Sequence, residues 1–454
     1  MSTTVAAVRH YFPSFTRYLK NVDDFRQQGK VEYPAELILW MGIIERLAGI
    51  KSNNEFESLL RTSTDIEDNI FSLPGLSGGE LPSIDAFCGF LQKLHPRELH
   101  NVIRKMIGAL DRKKFLSKLK TKDGFLLLAI DGVQTISTKR EIGHSTKREH
   151  QNGDTTYHQY FLEAKIVSQN GFVLSLDTEF IENPVEKFDK QDCETQAAKR
   201  LLERIAKEHP HLKFMVLGDG LYCNSVFIDI CNQHKWQYSF TFKGETQYPK
   251  LLGEINSELN WNQRHHKSVV LLKKNANTEL YVELRWCNSV PYEFGGKKEY
   301  KLNYLEGRVI RIKNGIKKVM TTLTYLVSER VCGKNALKQF MICRKRWKIE
   351  NEGFNVQKNN FLHIAHNFSS VGHAGQNFYL LAQIAHTIMQ LAYYTDIAGH
   401  VRCSLDDDRD YLSQSLKSIF RSFKTVAQRI RVELFDKVFK PPLLPPMRIR
   451  LTFA

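Results

Sequence analysis

Two short apolar runs, each followed by an aspartate, stand out in the hydrophobic pattern of this chain. Residues 125–130 are all apolar and precede Asp131, and residues 214–217 are apolar and lead through Gly218 to Asp219. Uninterrupted apolar runs of this length are typical of strands that are buried on both faces. Open α/β sheets bind their ligands at the carboxyl ends of such strands, so both aspartates are candidate functional residues.

The first part of the chain carries an apolar stripe at helical spacing. Residues 37, 38, 40, 41, 44 and 47 are apolar, Pro34 stands where a helix would begin, and Gly49 follows the stripe. We therefore expect residues 1–120 to form an N-terminal helical domain.

After the Asp131 strand the pattern predicts a hairpin and then alternating helices and strands. Residues 157–167 and 172–180 are strand-like and are joined across Asn170-Gly171, a pair that favours a tight turn. Helices are expected at about 192–208 and 224–234, and a further strand at 238–242. This order predicts an α/β protein in which antiparallel strands come first and parallel strands are added to the same sheet.

A β-rich block and a final group of helices follow. Residues 243–331 alternate with a period of two, whereas residues 336–359 and the segments 376–394 and 411–439 are helical in pattern, before a proline-broken end at 440–454. The longest apolar stretch, 378–394, is interrupted by Gln383, His386 and Gln390, which indicates a buried helix rather than a membrane span. We divide the chain into five segments: an N-terminal helical domain (1–120), the first part of an α/β core (121–242), a β-rich insertion (243–331), a helix that completes the core (332–365) and a C-terminal helical region (366–454).

The charge of the chain is strongly positive and unevenly distributed. The formal net charge is +16, yet the first hundred residues contain 10 Lys and Arg against 13 Asp and Glu. Residues 301–365 contain 14 Lys and Arg against 4 Asp and Glu. Such a local excess predicts a surface that binds a polyanion, above all nucleic acid. The alternative is a solvated basic face that serves solubility.

Cysteine spacing and the N-terminal sequence bear on the compartment. The eight cysteines include no Cys-x-x-Cys pair, which argues against a zinc or disulfide framework and favours a reducing compartment. The first residues lack the basic and apolar regions of a secretory signal. We also find no Walker-type glycine-rich loop, so nucleotide hydrolysis is not expected. The expected location is the cytoplasm.

The two strand-end aspartates have the chemistry of a divalent-metal site. Mg²⁺ is commonly held by one or two carboxylates and keeps water or phosphate as its other ligands. A third carboxylate allows two ions to act together on one phosphate. Glu350 is the candidate, because Arg346 and Glu350 lie about 40° apart on a helix and so share a face. The alternative for this Arg/Glu pair is an ordinary surface ion pair.

At these positions the sequence resembles the DDE transposases of bacterial insertion sequences, in the insertion-sequence-4-like branch. That branch has a β-rich insertion before its final glutamate and the signature Tyr-x2-Arg-x3-Glu-x6-Lys. The resemblance covers roughly residues 81–358 and is specific in Ala129-Ile130-Asp131-Gly132, in Leu217-Gly218-Asp219-Gly220, in residues 194–201, and in Arg344-x-Arg346-Trp347-x-Ile349-Glu350.

The resemblance implies a fold, an activity and a set of site residues. The fold would be an RNase H-like mixed sheet flanked by helices. Asp131, Asp219 and Glu350 would hold two Mg²⁺ or Mn²⁺ ions, and Arg344, Arg346, Lys348 and Lys358 would contact DNA. The activity would be metal-dependent hydrolysis at transposon ends followed by transfer of the 3′-hydroxyl into target DNA. The partners would be double-stranded DNA, with its terminal inverted repeats, and a second copy of the chain, in the bacterial cytoplasm at the nucleoid. A domesticated nuclease or an inactive DNA-binding protein of the same descent is the alternative.

Trp286, in the β-rich insertion, is a further candidate, because members of this branch stack an aromatic residue on a flipped base. The alternative for Trp286 is a tryptophan of the insertion's core.

The sequence departs from the signature in two places. Cys343 stands where the signature has tyrosine, and Lys358 comes one residue later than the signature lysine. One extra residue absorbed as a π-bulge near residues 351–353 would restore the register of Lys358. Glu352 is the rival to Glu350 as the third acid, but Arg346 keeps the signature spacing only to Glu350.

Overall fold

The structure is a computed structural model. It describes residues 1–62, 65–142, 144–168, 171–181, 190–261, 267–275, 277–296, 298–400, 416–419, 422–436 and 449–452. Most of the expected proline-broken end and much of the helix expected over 411–439 lie outside these residues.

The described residues form a mixed α/β protein. Its helices are α1 (Ser2–Tyr11), α2 (Phe15–Lys20), α3 (Ala35–Leu47), α4 (Asn53–Leu60), α5 (Asp65–Ser72), α6 (Ile84–Lys93), α7 (Arg97–Arg112), α8 (Lys190–Glu208), α9 (Ser225–Gln233), α10 (Gly244–Gln247), α11 (Pro249–Trp261), α12 (Ala336–Cys343), α13 (Val356–Asn359), α14 (Ala374–Tyr394), α15 (Leu416–Ile419) and α16 (Phe423–Asp436). Its strands are β1 (Leu126–Thr138), β2 (Thr146–Glu149), β3 (Thr155–Val167), β4 (Val173–Ile181), β5 (Phe214–Gly218), β6 (Gln237–Thr241), β7 (Lys267–Asn275), β8 (Thr278–Glu293), β9 (Glu299–Lys313) and β10 (Ile316–Val327).

The chain divides into two compact units, each built from several segments. The helical unit contains residues 1–119, 132–197 and 349–454, and the strand-rich unit contains residues 120–131 and 198–348. Strand β1 contributes to both, since the division falls between Asp131 and Gly132.

In the helical unit, α3 and α14 pack against each other and form the centre of the core. The expected helical character of the N-terminal region is confirmed by α1 to α7. The sequence predicted that only one stripe of α3 would be buried, but all thirteen residues of the helix are buried. Helix α14 is likewise buried along nearly its whole length, as expected for residues 378–394. No helix among the described residues is long and apolar enough to cross a membrane.

A buried polar network lies between α14 and the hairpin of β3 and β4. The Lys165 ammonium is fully buried, 2.9 Å from Glu163 and 2.7 Å from the side-chain oxygen of Gln383. Ser175 and Thr178 donate hydrogen bonds to the two oxygens of Glu163. The polar residues that interrupt the apolar stretch of α14 are therefore explained by partners inside the core rather than by exposure.

The strand-rich unit is built on the order β1-β5-β6-β10-β9-β8-β7. Strands β1, β5 and β6 are parallel to one another. The remaining neighbours in the sheet pair antiparallel: β6 with β10, β10 with β9, β9 with β8, and β8 with β7. The expected parallel additions are thus confirmed. The segment expected to be β-rich, 243–331, contains β7 to β10 but begins with two helices, α10 and α11, where strand-like alternation was expected. The insertion's hydrophobic core includes Val282, Leu284, Leu305 and Val309, and Phe340 of α12 packs on it.

Three local expectations need correction. Strand β1 does not end at Asp131 but continues to Thr138, because Val133 and Thr135, two residues apart, keep one face buried beyond the aspartate. The expected loop after it contains the short strand β2. The long helix expected over 336–359 is divided into α12, a 3-10 turn (Arg344–Arg346), a π-helix (Ile349–Asn355) and α13.

Candidate functional site

Asp131 and Asp219 occupy equivalent positions on two neighbouring strands of the strand-rich unit. Strand β1 pairs in parallel with β5 from Leu126 and Phe214 to Ala129 and Leu217. Each aspartate lies two residues beyond that last pair, and each side chain is half-buried. This register confirms the expectation that the two apolar runs before the aspartates are neighbouring parallel strands, although β1 itself continues past Asp131.

Asp219 is fixed by the turn that follows β5. Its backbone is extended, and its Oδ1 accepts a hydrogen bond of 2.8 Å from the backbone N–H of Leu221, which caps the 3-10 turn Gly220–Tyr222. Gly218 has no room for a side chain, because a Cβ there would lie 2.8 Å from the ring of Tyr222. The Gly-Asp-Gly sequence therefore sets the direction of the carboxylate through close backbone packing.

Arg346 belongs to the same site. Its Nη1 donates to Oδ2 of Asp131 at 3.2 Å, and the two side chains are 12% and 21% exposed. The guanidinium also lies 5.2 Å from the ring centre of Trp347, whose side chain is 48% exposed. An arginine that is partly shielded from water and held beside a carboxylate is well placed to bind a phosphate oxygen.

Lys243 is a site residue that the sequence interpretation missed. A Cβ on Gly220 would lie 2.9 to 3.1 Å from the methylene carbons of Lys243, so the lysine stem crosses the residue next to Asp219. Lys243 follows β6, the third parallel strand, and is exposed. Its position just after a predicted strand was the available signal, since parallel strands end at the same edge of a sheet.

In the helical unit, Glu194 of α8 lies against Gly132. A Cβ on Gly132 would be 3.3 Å from one carboxylate oxygen of Glu194 and 3.4 Å from the other. A larger residue at position 132 would require the carboxylate of Glu194 to move by a few tenths of an ångström, so glycine gives this acid its closest approach to the chain after Asp131. Glu194 was noted in the sequence only as part of a motif.

Glu350 lies at the start of the π-helix Ile349–Asn355 in the helical unit. The proposed π-bulge near residues 351–353 is confirmed, because the wider turn absorbs the extra residue of this segment. Gln357, which a regular helix would place near Glu350, is instead fully buried and donates to Gln383 at 2.7 Å. Lys358 remains half-buried, and burial lowers the pKa of its ammonium.

The rival acid, Glu352, has a different environment. Its Cγ would be 3.8 Å from a Cβ on Gly171, and its charge contributes to the raised pKa of Tyr394, after burial and the neighbouring Tyr393. Glu352 therefore lies close to Gly171 and Tyr394, within the helical unit.

Two other sequence candidates are core residues in this structure. Cys343, at the position of the signature tyrosine, is 2% exposed, and burial raises the pKa of its thiol to about 12. Trp286 is 3% exposed within the hydrophobic core of the insertion. Stacking of Trp286 on a base would require the indole to leave that core. The remaining DNA-contact candidates are Arg344 and Lys348, which lie two residues before and two residues after Arg346. Both are half-buried.

The carboxylates of Asp131 and Asp219 are the type of ligand that a hard divalent cation binds. Asp131 and Asp219 are two oxygen donors at one register of the sheet, and Mg²⁺ takes one or two protein carboxylates together with water and phosphate. Within the described part of the chain, no group of three His, Cys, Asp or Glu side chains is close enough together to hold a metal ion. The pair of aspartates is therefore the donor set on which a metal site would be built.

Cysteine chemistry is not part of this site. Six cysteines among the described residues, Cys88, Cys223, Cys231, Cys287, Cys332 and Cys343, are free thiols. Burial raises the pKa of Cys223 and Cys231 far above the ordinary thiol range, so these thiols are not nucleophiles.

Comparison with known proteins gives no relative from which to transfer a function: no protein-family model matches the chain, and no curated protein matches it.

Proposed function

We propose that this protein is a DDE-type DNA transposase with an RNase H-like catalytic core. The observation that carries the proposal is the pair Asp131 and Asp219 at one register of two parallel strands, with Arg346 bound to Asp131. The resemblance of the surrounding motifs to insertion-sequence transposases and the net charge of +16 support the same conclusion.

The proposed substrate is the double-stranded DNA at the ends of a mobile element. Bound Mg²⁺ or Mn²⁺, with two ions expected, would supply Lewis-acid stabilisation of the phosphate and a more nucleophilic oxygen. Asp131, Asp219 and Glu350 are the residues that would hold the ions. Arg346 and Lys243 would bind the non-bridging phosphate oxygens and stabilise the charge that develops on them.

The proposed reaction has two in-line displacements at phosphorus. In the first, water attacks the phosphodiester and the 3′-hydroxyl of the element end leaves with a proton. In the second, that 3′-hydroxyl attacks a phosphodiester of target DNA and displaces the target's 3′-hydroxyl. No bond between protein and DNA forms in either step, so the protein's contribution is positioning and charge. Arg344, Lys348 and Lys358 would hold the DNA backbone, and two copies of the chain would hold the two ends.

The proposal is tested with duplexes that carry the inverted repeats flanking the coding region. Asp131→Asn and Asp219→Asn should each abolish Mg²⁺-dependent cleavage while DNA binding is retained. A matched control is Asp229→Asn, since Asp229 is a strand-rich-unit aspartate that pairs with Lys298 at 2.7 Å, away from the strand ends. Cleavage that survives in both aspartate variants would refute the site.

A nuclease descended from a transposase would keep the same acids, so joining must be measured separately. With ends that are already cut, a transposase yields joined products in the presence of Mg²⁺, and a pure nuclease yields none. An inactive DNA-binding protein would give neither cleavage nor joining.

A further inference from the structure

The cations of the β7–β10 sheet are distributed unequally between its two faces. On one face, three cations are each matched to an acid on a neighbouring strand or position: Lys274 with Glu279 at 2.7 Å, Arg308 with Glu306 at 2.9 Å, and Lys317 with Glu283 at 3.6 Å. We call this the paired face. These three cations are neutralised within the sheet itself.

The opposite face carries three cations in one row across the strands. The register places Lys318 of β10 opposite Arg311 of β9, Arg311 opposite Leu280 of β8, and Leu280 opposite Lys273 of β7. Leu280 packs against the hydrophobic core of the insertion, which identifies the face. We call Lys273, Arg311 and Lys318 the basic row.

The basic row has no acidic counterpart in the part of the chain that the structure describes. None of its three residues forms an ion pair with a described carboxylate, and Lys273 and Lys318 are exposed while Arg311 is half-buried. Like charges directly opposite each other on neighbouring strands destabilise a sheet. Lys318 and Arg311 stand in that arrangement, so a ligand that supplies negative charge would relieve their repulsion.

We propose that the basic row binds the sugar-phosphate backbone of duplex DNA. This inference rests on the proposed function for the identity of the polyanion. Strands lie about 4.8 Å apart, so the row spans about 14 Å from Lys318 to Lys273. That span is comparable to the major-groove width of about 12 Å, so the row can contact phosphates on both sides of a groove. Such contacts fix the position of the duplex and carry no base sequence information.

The test compares two triple variants that remove the same charge from opposite faces of the same strands. The first is Lys273→Gln, Arg311→Gln and Lys318→Gln together, and the control is Lys274→Gln, Arg308→Gln and Lys317→Gln together. Binding of a fluorescent duplex of about 30 base pairs is measured by anisotropy between 50 and 300 mM KCl. Each lost phosphate contact lowers the slope of log K against log salt by about 0.9. The basic-row variant should lose about 2 to 3 units of slope, and the control well below 1.

Folding is checked by thermal denaturation of both variants, where removal of the like-charged row should leave the melting temperature unchanged or raise it. If the triple variant does not fold, the single variants Lys273→Gln and Lys318→Gln should each lower the slope by about 0.9. Equal slopes for the two triple variants would overturn the inference, as would binding of anionic phospholipid vesicles, but not of DNA, through the row.

Failure of the inference and failure of the proposed function give different results. DNA binding that depends on the basic row, without any cleavage by the wild-type protein, would support the row and refute the transposase. Cleavage that requires Asp131, with a salt slope that the row does not change, would refute the row alone.

Discussion

Asp131 and Asp219 lie at the same register of adjacent parallel strands, each two residues beyond the paired Ala129 and Leu217. The parallel pairing of β1 and β5 stops just before both aspartates, so it brings two carboxylates from distant parts of the sequence to one place in the sheet. Repulsion between such carboxylates is relieved by a bound cation and by the guanidinium of Arg346 on Asp131. The register thus makes metal binding testable apart from any reaction on DNA.

Metal binding should depend on both aspartates. Asp131→Asn and Asp219→Asn should each weaken binding of Mn²⁺ by at least about tenfold, because each removes one of the few protein oxygens available to the ion. Titration calorimetry or Mn²⁺ paramagnetic resonance measures the affinity without DNA. Asp229→Asn should bind Mn²⁺ as the wild type does. Unchanged affinity in both site variants would place the metal elsewhere.

Arg346 should contribute to the rate more than to DNA affinity. Arg346→Gln removes a donor from the Asp131 carboxylate and from the phosphate, so we expect cleavage to slow by about 10²-fold or more. Arg346→Lys should restore only part of the rate, because an ammonium cannot donate two parallel hydrogen bonds. Single-turnover cleavage at saturating enzyme isolates this effect. A purely structural arginine would instead lower the melting temperature and leave the rate of folded enzyme intact.

The two acids of the π-helix can be separated by matched substitutions. Glu350→Gln should abolish cleavage with little change in stability. Glu352→Gln should leave the rate within about tenfold, because Glu352 faces Gly171 and the environment of Tyr394. Both variants are assayed for cleavage and for thermal unfolding. The opposite pattern would make Glu352 the third acid.

Much of the sheet that carries Asp131 and Asp219 could be predicted from local pattern. The apolar runs before Asp131 and Asp219 identify buried parallel strands because such strands need apolar residues on both faces. The π-helix followed from the one-residue displacement of Lys358 from the signature. By contrast, the contacts of Lys243 with Gly220 and of Glu194 with Gly132 depend on tertiary packing between residues far apart in sequence, and no local period encodes them.

The sequence pattern also did not determine which side chains of the insertion's strands are exposed to solvent. Trp286 alternates with its neighbours as any strand residue does, and only the packing of Phe340 and α12 on that face makes it a core residue. The same holds for the basic row, since the assignment of Lys318 and Lys317 to opposite faces depends on the pairing register with β9. A shift of one residue would exchange the two faces.

The effects of substitutions at Gly307 and Phe340 on the free energy of unfolding should be strongly coupled, because the two residues are in contact in the core of the insertion. A Cβ on Gly307 would lie 2.1 Å from a ring carbon of Phe340, so Gly307→Ala should destabilise the protein by about 3 kcal/mol. Phe340→Ala alone should cost about 3 to 5 kcal/mol. In the Phe340→Ala background, Gly307→Ala should cost below about 1 kcal/mol, because the collision is gone. Urea denaturation of the four proteins measures the coupling, and equal costs in both backgrounds would contradict it.

One half-buried and one fully buried histidine, His10 and His386, should make the protein less stable in mild acid. Burial lowers the pKa of His10 to about 4, and burial followed by the charge of Lys165 lowers the pKa of His386 well below 6.5. Both side chains therefore stay neutral in the folded state at a pH where the unfolded chain binds protons. The free energy of unfolding should then fall as the pH drops below about 6.5, by up to about 1.4 kcal/mol per pH unit for each histidine.

This decline is measured by urea denaturation between pH 7.5 and 5.5, above the range in which most carboxylates titrate. His386→Gln and His10→Gln should each reduce the slope of stability against pH, whatever they do to stability at pH 7.5, because each removes one proton that only the unfolded chain takes up. The double variant should flatten the curve further, since the two histidines titrate independently in the unfolded chain. Curves that stay parallel to that of the wild type would show that these side chains are protonated in the folded protein.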